Sequence, residues 1–208
     1  MQNILKFRSG ALLGASLLFF AGMGVAQAQG NQPQAGQAQG SQPPLGKMTI
    51  QATAKGTSTQ MGKIYSVNIT IDAYSNEDDR QTLINAFQKS GQDGLVDALQ
   101  DMKPKGRIRF ASGGVGNDLK YIIELPSESG RRLRLVTDRN IAFGELYNGT
   151  RSRDYSVGAI ELTLTPDGKG SGTVLPACKL RVNKKTNQLE VETYQNPWDL
   201  INFMITKD

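Results

Sequence analysis

Residues 47–73 read KMTIQATAKGTSTQMGKIYSVNITIDA and decide the fold. Apolar residues recur at every second position in two runs, which small and polar residues at 56–62 separate. The second run is the clearer one, with apolar residues at Tyr65, Val67, Ile69, Ile71 and Ala73. A period of two is typical of a strand that is buried on one face. The two runs therefore predict a β-hairpin.

The same period continues through most of the chain that follows. It recurs in seven later runs, which are separated by stretches rich in Gly, Pro and Asn: 108–110, 119–125, 133–137, 155–165, 173–182, 188–194 and 200–206. Many short strands at this spacing are typical of an antiparallel sandwich or a barrel-like sheet. The sequence leaves the choice between these two architectures open.

One segment between the hairpin and the later strands has helical spacing instead. Ser75 or Asn76 offers an N-cap, and the three acids that follow suit the positive end of a helix dipole. Two apolar runs at helical spacing come next, one ended by Ser90-Gly91 and the other by Pro104. The predicted fold class is therefore α+β, mostly β, with one inserted two-helix segment packed on the sheet or over its open end.

The residue types that are missing exclude several chemistries. The 208-residue chain has no His and one Cys, Cys178. Without His, the chain cannot use Ser-His-Asp or Cys-His catalysis, a His-ligated metal or a His-based pH switch. Without a second Cys, it cannot form an internal disulfide. Cys178 shares its strand phase with Leu180 and Val182, so we expect a core thiol. The alternative is a reactive or intermolecular thiol, which would require exposure.

The first 28 residues have the pattern of a cleaved secretory signal. Lys6 and Arg8 form a positive start, an apolar region covers 11–25, and Ala26-Gln27-Ala28 places small residues where a signal peptidase cleaves. The apolar region is shorter than the about 20 residues of a membrane span. We therefore expect a secreted bacterial protein, periplasmic or extracellular, with no transmembrane segment after signal cleavage.

The rest of the chain divides into a linker and one domain. Residues 29–46 consist of Gln, Gly, Ala, Pro, Asn and Ser with a single Leu, a composition that predicts a disordered linker. Residues 47–208 are predicted to form one β-rich globular domain. Loss of Lys6 and Arg8 with the signal lowers the formal net charge from +5 to +3. That excess is mild, so we expect no nucleic-acid partner.

Two motifs suggest ligands, but each has a structural explanation. Gly113-Gly114-Val115-Gly116 precedes a strand pattern, whereas a phosphate-binding loop opens a helix. Glu77-Asp78-Asp79 lacks the spacing of a calcium loop and suits a first helical turn. The sequence therefore assigns no cofactor, no metal and no catalytic residue.

Paired carboxylates are a further possibility, because glycosidase-type hydrolysis needs two acids and no His. The candidates lie on different predicted strands and loops: Asp118, Glu124, Asp138, Glu145 and Asp154. The sequence leaves open which of them converge, and solvated surface acids are the favoured explanation.

Basic residues occupy the polar phase of three predicted strands: Arg107, Arg109, Arg132, Arg134, Lys179 and Arg181. On neighbouring strands they would form a positive stripe that could meet anionic lipid headgroups, lipopolysaccharide or acidic glycans. Glutamates occupy similar outward positions: Glu124, Glu161, Glu190 and Glu192. This mixture favours a solvated surface of both signs.

The chain resembles secreted bacterial proteins of unknown function over about residues 46–206. The resemblance lies in Asp78-Asp79-Arg80-Gln81, Leu83, Ala86-Phe87, Gly94-Leu95-Val96, Ala98-Leu99, Met102, Thr137-Asp138-Arg139 and Phe143. It implies an exported single domain and assigns no functional residue.

From these patterns we expect a non-enzymatic binding or interaction domain. Its partner would be a small molecule, a lipid or an envelope component. The alternatives are a His-independent hydrolase using two carboxylates and a structural envelope protein.

Overall fold

The computed structural model describes residues 46–111, 114–128, 130–142, 155–183, 185–186, 188–193 and 196–207. The predicted signal and all but the last residue of the predicted linker lie outside this part of the chain. The described residues form nine strands, one short 3-10 turn (Ser58–Gln60) and one helical segment. In chain order these strands and the helix are β1 (Met48–Lys55), β2 (Ile64–Ile71), α1 (Glu77–Asp101), β3 (Gly106–Phe110), β4 (Asn117–Leu125), β5 (Arg131–Thr137), β6 (Val157–Leu164), β7 (Gly170–Asn183), β8 (Gln188–Thr193) and β9 (Trp198–Lys207).

Eight of these strands close into an antiparallel barrel. The sheet order is β6-β5-β4-β3-β2-β1-β9-β7-β8, and β7 also pairs with β6. That second pairing closes the ring and leaves β8 outside it, on the C-terminal half of β7. The predicted hairpin is β1–β2, and the prediction of a mostly β, barrel-like antiparallel fold is confirmed.

Apolar side chains fill the inside of the barrel. Ile50, Ile69 and Ile108 lie in register across β1, β2 and β3 and are fully buried. The same cluster continues around the ring through β4–β7 to Trp198 and Leu200 on β9. A barrel of eight strands is just wide enough for side chains to fill its interior. The barrel interior is therefore a packed core.

The helical segment begins with a capping box. The Asn76 side chain accepts a hydrogen bond from the Asp79 backbone N–H, and the Asp79 carboxylate accepts one from the Asn76 N–H, both at 2.9 Å. The helix breaks at Ser90 and Gly91, where Gly91 has φ 61° and ψ −142°. Because side chains rarely adopt that conformation, glycine is favoured at the break. The predicted pair of short helices is thus one segment in two parts.

α1 packs against the outside of the barrel, which is one of the two predicted positions. Leu83, Leu95 and Leu99 are fully buried in a second core with outward-facing residues of β4–β8, such as Tyr121 and Val136. Each part of the helix contributes to this contact, so one apolar layer holds both. Within the described part of the chain, no helix combines the length and apolarity that crossing a membrane requires.

A buried lysine attaches the C-terminal end of α1 to the sheet. Lys120 on β4 is 7% exposed, and its Nζ donates hydrogen bonds to the backbone carbonyls of Gln100 (3.2 Å) and Met102 (2.8 Å). The carboxylate of Asp138 lies 3.8 Å from the same Nζ. A cation suits this position because the last carbonyls of a helix lack partners within the helix and carry partial negative charge.

Cys178 lies in the second core, as its strand phase predicts. Its side chain is fully buried, and burial raises the pKa of the thiol to about 12. Nearby charges have smaller, opposing effects on this pKa, from Arg134 and Glu161. A thiol that stays protonated and covered is a weak nucleophile, so its chemistry is that of a small apolar side chain.

We expect alkaline pH to destabilise the fold through this thiol. The unfolded thiol loses its proton near pH 9, whereas the folded thiol keeps it up to about pH 12. The stabilisation is complete below about pH 9 and is lost as pH rises toward 12. Thermal unfolding should therefore show a lower midpoint at pH 10 than at pH 8.5. The Cys178→Ala variant should show a smaller decrease, and an equal decrease would contradict this assignment.

Candidate functional site

A groove of about 490 Å³ lies on the outer surface of the barrel, across β9, β1, β2 and β3. Its outward-facing lining is mostly polar, and three nearly buried apolar residues complete it. The lining residues are Gln51, Thr53, Ser66, Asn68, Arg109, Ala111, Asn202 and Met204, together with Ala52, Val67 and Phe110. Small-molecule sites usually have volumes of about 300–1,000 Å³. The groove is therefore large enough for a small ligand.

Strand register aligns the main groove residues in one row. Gln51 pairs with Met204 on one side and with Asn68 on the other, and Asn68 pairs with Arg109. Neighbouring strands lie about 4.8 Å apart, so the four residues span about 14 Å. Because paired residues point to the same face, all four side chains are on the outside of the barrel. The row ends in a cation on β3 and an apolar side chain on β9.

A β-bulge gives this part of the sheet its shape. The register between β1 and β9 shifts between Gln51 and Thr53, where β9 contains one extra residue. Asn202 lies at the shift and has φ 56°, a left-handed conformation that Asn tolerates better than most side chains. A bulge bends its strand and increases the local twist. Asn202 is exposed and lines the groove at this bulge.

Arg109 differs from the other basic residues that the strand phase singles out. Five of the six face carboxylates: Arg107 faces Asp118 (2.8 Å), Arg132 and Arg134 face Glu161 (3.6 and 2.6 Å), Lys179 faces Glu192 (3.4 Å) and Arg181 faces Glu190 (3.2 Å). The mixed-sign surface is thus observed for these five. The Arg109 side chain is exposed and forms neither an ion pair nor a hydrogen bond with any other described residue.

Strand length explains why Arg109 differs from Arg107. The two side chains lie two residues apart on the same face of β3. Arg107 is directly opposite Asp118 on β4, but the β3–β4 ladder ends at Ile108 and Asn117. Arg109 therefore lies beyond the ladder, and its neighbour on the other side is the uncharged Asn68. Since none of the described lining residues is acidic, together they carry a formal charge of +1.

The carboxylate candidates are each held by a cation where the structure describes them. Asp118 faces Arg107 at 2.8 Å, Glu124 faces Arg131 at 3.1 Å and Asp138 faces Lys120 at 3.8 Å. Glu145 and Asp154 lie outside the described residues. These contacts are ion pairs rather than the pairing of two acids that glycosidase-type chemistry requires.

Two described carboxyl groups have shifted pKa values, and both shifts are downward. The Thr165 hydroxyl is the largest cause for Asp167, whose pKa falls to about 2. The Asn183 amide, through a 2.6 Å hydrogen bond, is the largest cause for Glu190. A general acid in a hydrolase needs a raised pKa, so neither group suits that role.

The acidic motif and the glycine-rich motif that the sequence singles out lie at the start of α1 and before β4. Glu77, Asp78 and Asp79 form the first turn of α1, and within the described residues there is no group of three metal-ligating side chains. Gly116 is followed directly by β4, so the glycine-rich segment leads into a strand as predicted. Gly113 lies outside the described residues.

No family model, curated protein or solved structure gives a significant match to this chain. The resemblance to secreted bacterial proteins therefore stays a prediction.

Proposed function

We propose that this chain is an exported bacterial binding domain, without enzymatic activity, that holds a small polar ligand in the outer groove. The observation that carries the proposal is Arg109, an exposed cation without a partner among the described residues, in a groove lined by three amides. Exposed groups that converge in a concave site are available to a ligand. The packed barrel interior supports placing the ligand outside rather than within.

Ligand binding can be tested by NMR on the exported protein. We expect a small-molecule library containing saccharides, nucleotides and organic acids to give hits that shift the amide signals of β1, β2, β3 and β9. Ser66→Phe should abolish these shifts, because the ring would fill the groove. Thr163→Phe, on the outer face of β6, is the matched control and should leave them unchanged. A library that shifts no groove signal would overturn the proposal.

Export is tested separately, with the full chain in a bacterial host. We expect a mature protein that begins at Gln29 and is found outside the cytoplasm. Ala28→Asp should block cleavage, since a signal peptidase requires a small residue there. A full-length chain that stays uncleaved in the cytoplasm would contradict the expected location.

One observation favours the alternative of an envelope-interaction protein. β9 pairs with β7 only over Trp198–Leu200, so within the described chain residues 204–207 pair only with β1. A free strand edge can accept a strand from a partner. If this edge is the binding site, crosslinking in cells should capture an envelope protein at β9, and Ser66→Phe should not prevent capture.

A further inference from the structure

We propose that the groove binds an acidic saccharide whose carboxylate is held by Arg109. This inference rests on the proposed function and names the ligand class for the same groove. It follows from three properties of the lining that the structure describes: one cation whose side chain has no partner there, a set of neutral hydrogen-bonding groups and an apolar end.

The cation sets the charge of the ligand. A guanidinium presents parallel N–H donors that match the two oxygens of a carboxylate, and it stays protonated at any physiological pH. Among the described lining residues Arg109 alone is charged, so it complements a ligand group of charge −1. A phosphate monoester carries about −1.5 to −2 and would remain only partly neutralised.

The neutral groups favour a polyhydroxylated ligand. Gln51, Asn68 and Asn202 each offer a donor and an acceptor, and Thr53 and Ser66 add hydroxyls. Sugar hydroxyls also donate and accept at once, so they can pair with every one of these groups. An acyl chain would instead cover three amides without offering them a hydrogen bond, which is costly.

The two ends of the row orient the ligand. Arg109 is at the β3 end, and Met204, which is 65% exposed, is at the β9 end about 14 Å away. The C–H face of a sugar ring can pack on a thioether side chain. The carboxylate of one sugar unit would therefore lie at β3 while the next unit extends over Gln51 toward Met204.

The test uses disaccharides of glucuronate, galacturonate and mannuronate, with their neutral methyl esters, in calorimetric titrations of the exported protein. We expect at least one acid to bind, and its methyl ester to bind about 10- to 100-fold more weakly, since a charged hydrogen bond is lost. Raising the salt concentration from about 20 mM to about 200 mM should weaken binding of the acid but not binding of the ester.

Arg107 supplies the matched control variant. It lies on the same strand and the same face as Arg109, but Asp118 already occupies its guanidinium. We expect Arg109→Gln to weaken binding of the acid about 10- to 100-fold and to leave the ester unchanged. Arg107→Gln should change either affinity by less than about threefold, because a paired surface ion contributes little. Far-UV circular dichroism checks that both variants fold.

The ligand class would be overturned by equal affinity for acid and ester, by an effect of Arg107→Gln as large as that of Arg109→Gln, or by no binding of any uronate. The last result is informative when combined with the NMR library. If other compounds shift the groove signals, the groove binds a ligand of another class and the proposed function stands. If none does, the proposed function fails as well. Binding to anionic phosphatidylglycerol vesicles that Arg109→Gln abolishes would assign the groove to lipid headgroups and overturn the saccharide.

Discussion

Replacing Trp198 with alanine is expected to lower the free energy of unfolding by about 3–5 kcal/mol. Trp198 is 1% exposed and packs against the ring of Tyr65, with 5.6 Å between the ring centroids. It also pairs with Val174, within the three-residue ladder that joins β9 to β7. Removing the indole would leave a cavity in the barrel core beside the short β9–β7 ladder. Urea unfolding followed by far-UV circular dichroism measures the loss.

Met204→Ala is the control for this prediction, because it removes a large side chain from the same strand. Met204 is 65% exposed, and surface substitutions usually change stability by less than about 0.5 kcal/mol. Trp198→Phe keeps an aromatic ring in the core and should lose less than the alanine variant. Equal stability of Trp198→Ala and Met204→Ala would show that Trp198 does not seal the barrel.

Replacing Lys120 with methionine is expected to cost about 3–5 kcal/mol, the usual effect of breaking a buried ion pair. Methionine keeps the apolar length of the side chain but not the charge. The Asp138 carboxylate would lose the buried cation 3.8 Å away, and the carbonyls of Gln100 and Met102 would lose their donor. Urea unfolding again measures the loss, and hydrogen exchange should increase most in the second half of α1.

The charge pair itself can be tested by a second substitution. In the Lys120→Met background the buried Asp138 carboxylate would face only the exposed Arg139 among the described residues, at 3.8 Å, so Asp138→Asn should recover part of the lost stability. Lys169→Met is the surface control, since Lys169 is 85% exposed in its pair with Asp167. An exposed pair contributes less than about 1 kcal/mol. If Lys120→Met also lowered the free energy of unfolding by less than about 1 kcal/mol, Lys120 would not anchor the helix.

Local patterns made much of the fold predictable. The alternation in β1 and β2 predicts both the strands and their pairing, because consecutive strands joined by a short turn usually form a hairpin. Asn76 and the break at Ser90-Gly91 were predictable for a similar reason. Each depends on side chains within a few residues along the chain.

Long-range pairing was not predictable from the same patterns. A strand with one apolar face has the same sequence pattern in a sandwich and in a barrel. The sequences of β6 and β7 therefore do not reveal that these two strands pair and close the ring. The register shift between Leu119 and Tyr121 is another case. Continuous alternation would place both side chains on one face. The shift instead directs Leu119 into the barrel core and Tyr121 into the second core, between the barrel and α1.

The sequence contains one weak indication of the groove. The polar phase of β1 and β2 is uncharged over Thr49–Thr53 and Ser66–Thr70, whereas a solvated surface usually carries Lys and Glu. The special position of Arg109 could not be seen in this way. Its phase is that of Arg107, and only the length of the β3–β4 ladder separates the two.

The pairing of β1 with β9 has a consequence for how the chain folds. Met48 pairs with Lys207 and Lys55 with Asp199, so one edge of β1 stays unpaired until β9 is available. Contacts between residues so far apart along the chain make folding slow, on the order of milliseconds to seconds for β-rich topologies. During synthesis the earlier strands can form hairpins, but the ring cannot seal. A chain that cannot close its barrel until β9 is available would stay open long enough for the export that we propose, which requires an unfolded chain.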